Sequence, residues 1–289
     1  MERELWKTLY ALAREADKSS VTFLGVFTAA TILGVYLWAV IWDRPVAWAC
    51  QKANWPADIR PRRLPSQATM SRRLNGDDVE HLWNGLIEHF QAGIPPRLYK
   101  VIDAKPLPVG GHSKDPDADW GRGVKNFIKG YKLYAIWGAG PVPLAWEVGA
   151  ARTSEQQMAE QMIPRLRPGG YLLGDKLYDI NKLYDAAAAV GHQLIAQRKR
   201  PHAGLGHRCH SPSRLRCIEL LKTRFGKALY RCRDRVEQDF AHLTNFGGGL
   251  APLPNWVRRR RRVQRWVRAK LLIYAARETL LHPPATAVG

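Results

Sequence analysis

Apolar residues recur at helical spacing through the N-terminal third of the chain and at strand spacing beyond it. Leu5, Leu9, Leu12 and Ala13 predict one amphipathic helix within residues 2–16, and Leu82, Trp83, Leu86, Ile87 and Phe90 predict another over 79–90. Between them, residues 21–42 carry no charge and are long enough to cross a bilayer if helical. Thr22, Thr28, Thr31, Gly25 and Gly34 dilute that run, which leads straight into Asp43-Arg44-Pro45, so a buried helix is the expected reading and a membrane anchor the alternative. Pro45, Pro56, Pro61 and Pro65 then punctuate a basic connector. Residues 64–74 predict a short helix that starts near Ser66 and ends at Arg72 and Arg73. Two readings of it stay open. Either it is the recognition helix of a helix-turn-helix, with Gln67, Thr69 and Arg72 near bases or phosphates, or it is a basic surface helix of an N-terminal bundle. Pro95-Pro96 marks the expected boundary between a helical, DNA-binding region over 1–94 and a second domain over 95–289.

Past that boundary the pattern becomes α/β. Residues 98–102, 131–137 and 144–148 predict three consecutive strands, the first ending in Asp103. A helix over 154–166, a strand over 171–174 that delivers Asp175, a helix over 181–190 and a strand over 193–196 follow. Further on, Leu229, Val236, Phe240 and Leu243 form an apolar stripe on a helix. At about 100° per residue, Tyr230, Arg233, Glu237 and Thr244 share one neighbouring face of it.

Composition adds a partner. With 45 Lys plus Arg against 25 Asp plus Glu, the net charge is +20 and the pI about 10.2, which points to a polyanion and to nucleic acid rather than a membrane. The 289 residues, 46% of them hydrophobic, suffice for a packed core and exclude general disorder. Cys50, Cys209, Cys217 and Cys232 form no paired framework and no signal peptide is evident, so a reducing, cytoplasmic and nucleoid-associated setting is expected. His207, Cys209, His210 and Cys217 match no common zinc-finger spacing, which favours buried thiols over a zinc site. Lys105, Lys114, Arg122, Lys125, Lys129 and Lys132, interleaved with Trp120 and Phe127, read as a loop that tracks DNA, with solvated surface charge as the alternative. Five arginines over 258–262 continue through Arg265, Arg268 and Lys270. Val263, Trp266, Val267, Leu271 and Tyr274 keep a helical stripe there, so Arg259, Arg260 and Arg262 are candidate phosphate contacts on an ordered helix.

Three carboxylates carry the candidate chemistry. Alone, Asp103 or Asp175 reads as a turn former or cap and Glu237 as a solvated helix charge. Together, two on strand ends and one on a neighbouring helix, they are what a two-metal phosphodiester site requires. Asp179, Asp234 and Asp239 read as surface or supporting groups, and nothing resembles a Ser-His-Asp arrangement. Tyr230, Arg233 and Glu237 stand at the spacing Tyr-x2-Arg-x3-Glu, Asp103 heads Asp-Ala-Lys-Pro-Leu, and Asp175 sits in Gly174-Asp175-Lys176 with Tyr178-Asp179. In these three blocks, within roughly residues 40–280, the chain resembles the DDE transposases of bacterial insertion sequences. Thr244 stands where that family carries a lysine. The resemblance implies a ribonuclease H-like catalytic domain, a mixed sheet with flanking helices, behind a helical N-terminal region. It also implies Asp103, Asp175 and Glu237 as ligands of two Mg2+ ions, with Mn2+ as a substitute. Tyr230 and Arg233 become contacts to the cleaved DNA end, double-stranded DNA the substrate and a homodimer the active form, with no membrane involved. Two alternatives remain: a ribonuclease H-like nuclease or decayed transposase without strand transfer, and a membrane-anchored DNA-binding protein.

Overall fold

Helix α1 (Glu2–Lys18) buries Leu5, Trp6, Leu9 and Ala13 on one stripe, and that stripe meets α2 (Ala29–Ile41). The approach is close: the Trp6 indole donates to the Gly34 carbonyl at 2.8 Å, and a Cβ at Gly34 would lie 2.6 Å from the Tyr10 ring. Thr28 caps α2 by accepting from the Thr31 N–H, and every residue of α2 except Thr31 is buried. The apolar run is therefore core. Trp38 stacks on Trp55 at 5.0 Å and its indole donates to the Asn54 carbonyl. Among the described residues no helix is long and apolar enough to cross a membrane. The computed structural model describes residues 1–18, 26–92, 94–123, 125–207, 209–246, 249–250 and 252–282, so the first part of the uncharged run, 21–25, lies outside them.

Two compact units divide the chain. The first joins Met1–Gly93 to Leu243–Leu250 and to the sequence from Arg265 onward; the second comprises Ile94–His242 with Ala251–Gln264. The first unit adds the short α3 (Val46–Ala49), α4 (Gln67–Arg73), capped by Ser66, and α5 (Asp77–Ala92), which buries Val79, Leu82, Trp83 and Leu86. It also holds most of the C-terminal helix α11 (Arg260–Leu281). There Lys270 is fully buried and donates to the Val40 carbonyl and to Asp43, while Arg268 pairs with Glu80 and Arg265 bonds Asn75. Lys270 thus serves the helical core, which corrects its reading as a continuation of a phosphate-gripping surface, while Arg265 and Arg268 are engaged by surface partners within the same unit.

In the second unit, β1 (Tyr99–Pro108), β2 (Asp119–Arg122), β3 (Phe127–Trp137) and β4 (Ala145–Ala150) are antiparallel. After α6 (Glu155–Met162), β5 (Tyr171–Leu173) runs parallel to β1; after α7 (Asn181–Ala189), β6 (Gln193–Ile195) runs parallel to β5. The sheet order is β2-β3-β1-β5-β6, with β4 also on β3. Set β2 aside and the order becomes third, second, first, fourth, fifth, a mixed ribonuclease H-like sheet. Helices α8 (Pro212–Lys222), α9 (Arg224–Arg231) and α10 (Arg235–Thr244) follow. Two strand expectations need correction. Strand β1 does not end at Asp103 but runs on through Pro106 and Pro108. It pairs with β5 only over Tyr99–Val101, so beyond that point one edge of β1 has no paired strand among the described residues and proline is tolerated. Strand β2, rich in glycine and charge, carries no apolar alternation and is absent from the sequence reading.

Candidate active site

Parallel pairing of β1 with β5 sets the two aspartates side by side. Val101 is the register partner of Leu173, and a carboxylate follows two residues further on in each segment, Asp103 within β1 and Asp175 just past the end of β5. Asp103 accepts from the Ala104 N–H at 2.8 Å; Asp175 caps a single 3-10 turn over Lys176–Tyr178 by accepting from the Leu177 N–H at 2.7 Å. The Tyr178 ring fills the space beneath, close to Gly174 and Ile102. Burial pushes the Asp103 carboxyl up to about 6 against the Ala104 bond, the charges of Glu155 and Asp175 push the same way, and the Arg233 guanidinium opposes them.

Glu155 was not visible as a site residue. Its side chain lies in the first turn of α6 and pairs with Lys132 on β3 at 2.9 Å, both groups largely buried. The only sequence signal was an acid following Ser154 at a helix start, which reads as ordinary helix-end chemistry. Lys132 is thus bound inside the fold and Lys129 donates to the Ser113 carbonyl; both belong to β3 and not to a DNA-tracking loop.

The segment bearing Tyr230, Arg233 and Glu237 is not one uniform helix. Tyr230 lies in the last turn of α9, Arg233 in a 3-10 turn over Cys232–Asp234, and Glu237 in the first turn of α10. Three residues at 120° instead of 100° add about 60° of rotation, which turns Glu237 from about 20° on one side of Tyr230 to about 40° on the other and so leaves both on one face. The apolar stripe survives, with Leu229, Val236, Phe240 and Leu243 all buried. Phe240 packs edge-on against Trp137 at 5.7 Å, with the Lys105 ammonium 5.9 Å from its ring centre. In the β1–β3 register Trp137, Lys105 and Asp103 share a sheet face, so α10 lies across the face that carries Asp103. Tyr230 is raised by burial and by the charge of Asp175, with Arg233 opposing, so both motif residues feel the aspartate pair. The Glu237 side chain is exposed, and among the described residues no three His, Cys, Asp or Glu are arranged to hold a metal ion.

The remaining candidates fall into two groups. Arg72, Arg122, Lys125 and Arg262 are exposed. Lys105 is partly buried and its ammonium is lowered by that burial. Arg73 donates to the Phe27 carbonyl and to Asp78, Arg260 donates through Nε to the Val148 carbonyl, and Arg259 lies 3.6 Å from Asp117. His210 bonds the Leu205 carbonyl and Arg214, and Cys217 is buried against Tyr184 and the Ala196 carbonyl. Asp179 is not a surface group: it is buried and held by a two-pronged Arg214 fork at 2.7 and 2.8 Å.

The family described as Transposase DDE domain matches residues 96–275, more than half of the 289-residue chain. No curated protein and no solved structure matches it.

Proposed function

Because the chain belongs to the DDE-domain transposases, we propose that it is the transposase of a bacterial insertion sequence, cutting DNA at the element's ends and joining the freed 3′ ends to target DNA. The observation that carries this reading is the Asp103–Asp175 pair, each two residues beyond the last register pair of the parallel strands β1 and β5, with Tyr230 and Arg233 close enough to be felt by it. A buried carboxyl whose charge is opposed by two neighbouring acids suits a divalent cation, which would relieve that opposition. Asp103 and Asp175 would hold it, and Glu237, on the helix laid over the Asp103 face, would complete the set. When bound, such ions (two Mg2+, with Mn2+ as a substitute) activate water or a 3′ hydroxyl and stabilise the leaving oxygen at phosphorus.

The protein's own groups supply positioning. Arg233 offers a fork for a backbone phosphate beside the carboxylates, and the partly buried Lys105 places a second cation on the same sheet face. Tyr230 presents a ring and a hydroxyl to the nucleotide at the cleaved end. No side-chain nucleophile is required, because both cleavage and joining are displacements at phosphorus by water or a DNA hydroxyl. Double-stranded DNA is the substrate, a homodimer the active form and the bacterial nucleoid the setting, with residues 1–94 contributing DNA contacts through Arg72.

A duplex carrying the element's terminal repeat, incubated with the protein and Mg2+, should give nicks at the repeat boundary and then products joined through 3′ ends. Absence of any Mg2+-dependent cleavage would contradict the reading. Thr244, at the position where the family has lysine, favours a second one: a nuclease that cuts without joining, which would give the nicks alone.

A further inference from the structure

Strand β2 and the start of β3 form a hairpin whose two faces differ sharply. In register, Trp120 faces Lys129 and Arg122 faces Phe127, so these four side chains share one face. The opposite face is pinned to the unit: a Cβ on Gly121 would lie 2.1 Å from the Ala151 carbonyl oxygen, and Asp119 pairs with Arg152. Phe127 is 72% exposed and Trp120 55% exposed, although β2 is an edge strand, where bare aromatic surface invites unwanted pairing. Arg122 and Lys125 of the same hairpin are exposed, as is Lys114, and among the described, paired residues of the hairpin no carboxylate shares the ring-bearing face.

We propose that this hairpin face is a stacking platform for unpaired bases of the DNA substrate. The inference rests on the transposase reading and adds the form of DNA engaged. Paired bases in a duplex keep their flat faces inside the stack, so only unpaired ones can lie on a protein ring. Trp120 and Phe127 are diagonal neighbours across the strands, at positions about 7 Å apart. Both rings can therefore engage bases of one strand, with Arg122 and Lys125 beside them to meet its phosphates. A strand opened near a cleavage point offers such bases, and a platform that holds them keeps it from re-pairing.

The test measures binding of the full-length protein to a fluorescein-labelled oligothymidylate and to a duplex of equal length. Phe127→Ala and Trp120→Ala should each weaken oligothymidylate binding by about tenfold, leave duplex affinity at the wild-type value and leave the slope of log K against log salt unchanged. Phe127→Tyr should retain binding. Arg122→Gln with Lys125→Gln should weaken both probes and flatten the slope. Both aromatic positions are surface sites, so wild-type melting curves are expected and are checked first. Equal losses on both probes, or no loss on either, would overturn the platform. So would a dimer-to-monomer change in Phe127→Ala with oligothymidylate binding intact, which would assign the face to a second copy of the chain. Wild-type protein that binds neither probe would remove the transposase reading itself, whereas duplex binding without a differential loss removes only this inference.

Discussion

Burial sets Asp103 against its own charge. Its carboxyl rises from 3.8 to about 6 in the fold, so between those pH values the unfolded chain binds fewer protons and stability falls as pH rises. Above the folded value the full cost, up to about 3 kcal/mol, is present. Asp103→Asn removes it. In the presence of chelator the variant should melt higher than wild type at pH 8 and converge with it near pH 4, and Mg2+ should then raise the melting temperature of the wild type alone. Identical melting at both pH values would mean that the site is solvated. Asp179 behaves in the opposite way: burial alone would raise it, but the Arg214 fork and the Lys199 N–H outweigh burial and hold it below the ordinary value. Its stabilisation is full above the unfolded value and is lost as pH falls through the folded one. Asp179→Ala leaves Arg214 uncompensated and should cost about 3–5 kcal/mol in urea unfolding; a cost below 1 kcal/mol would show that water replaces the carboxylate. The sequence places Asp179 only four residues from Asp175, and its partner is distant in the chain, so no local pattern could show that it is buried. Asp103 and Asp175, by contrast, stand in blocks recognisable without any fold.

Among the elements, those with strong periodicity were legible and those governed by tertiary contact were not. Strands β3, β5 and β6 and helices α5 and α7 follow apolar patterns that local spacing exposes. Strand β2 exists because Gly121 permits a backbone approach to Ala151, a contact with no trace in hydropathy. The 3-10 turn at Cys232–Asp234 lies inside a run whose propensity reads as continuous helix, so local spacing does not reveal the break in it. What fixes α10 is Phe240 against Trp137. Phe240→Ala should cost about 3 kcal/mol of stability and, by loosening the element that carries Glu237, lower cleavage by about a hundredfold while DNA binding persists. Wild-type cleavage in a destabilised variant would show that the position of α10 does not matter to the reaction.

Charge is a property of the whole molecule, and the fold divides its +20 unevenly between internal and external work. Lys270 and Arg73 bind acceptors inside the helical unit and Arg268 pairs with Glu80 at its surface, whereas Arg262, Arg122 and Arg72 are exposed. Replacing exposed arginines that touch phosphate with glutamine should flatten the dependence of log K on log salt by about 0.9 per residue. Arg73→Gln should instead lower the melting temperature, because it strips a bond from the Phe27 carbonyl and leaves Asp78 unpaired. A full slope change for Arg73→Gln with unaltered melting would reverse that sorting. Composition signalled a nucleic-acid partner but not which cations face it, because a buried lysine and a solvated one look alike in a count. The break between Gly93 and Ile94 falls beside the expected Pro95-Pro96 boundary, but the residues of α11 belong to both units, which no linker-like composition announces. The central claim, that Asp103, Asp175 and Glu237 perform metal-dependent DNA cleavage, meets its most direct test in alanine variants of each, assayed for Mg2+-dependent nicking of an end-containing duplex beside a gel shift on the same DNA. Each variant removes a negative charge from a basic protein, so binding should stay equal or tighten slightly, while nicking falls by orders of magnitude in all three. Near-wild-type nicking by any one variant would contradict that residue's place among the metal ligands.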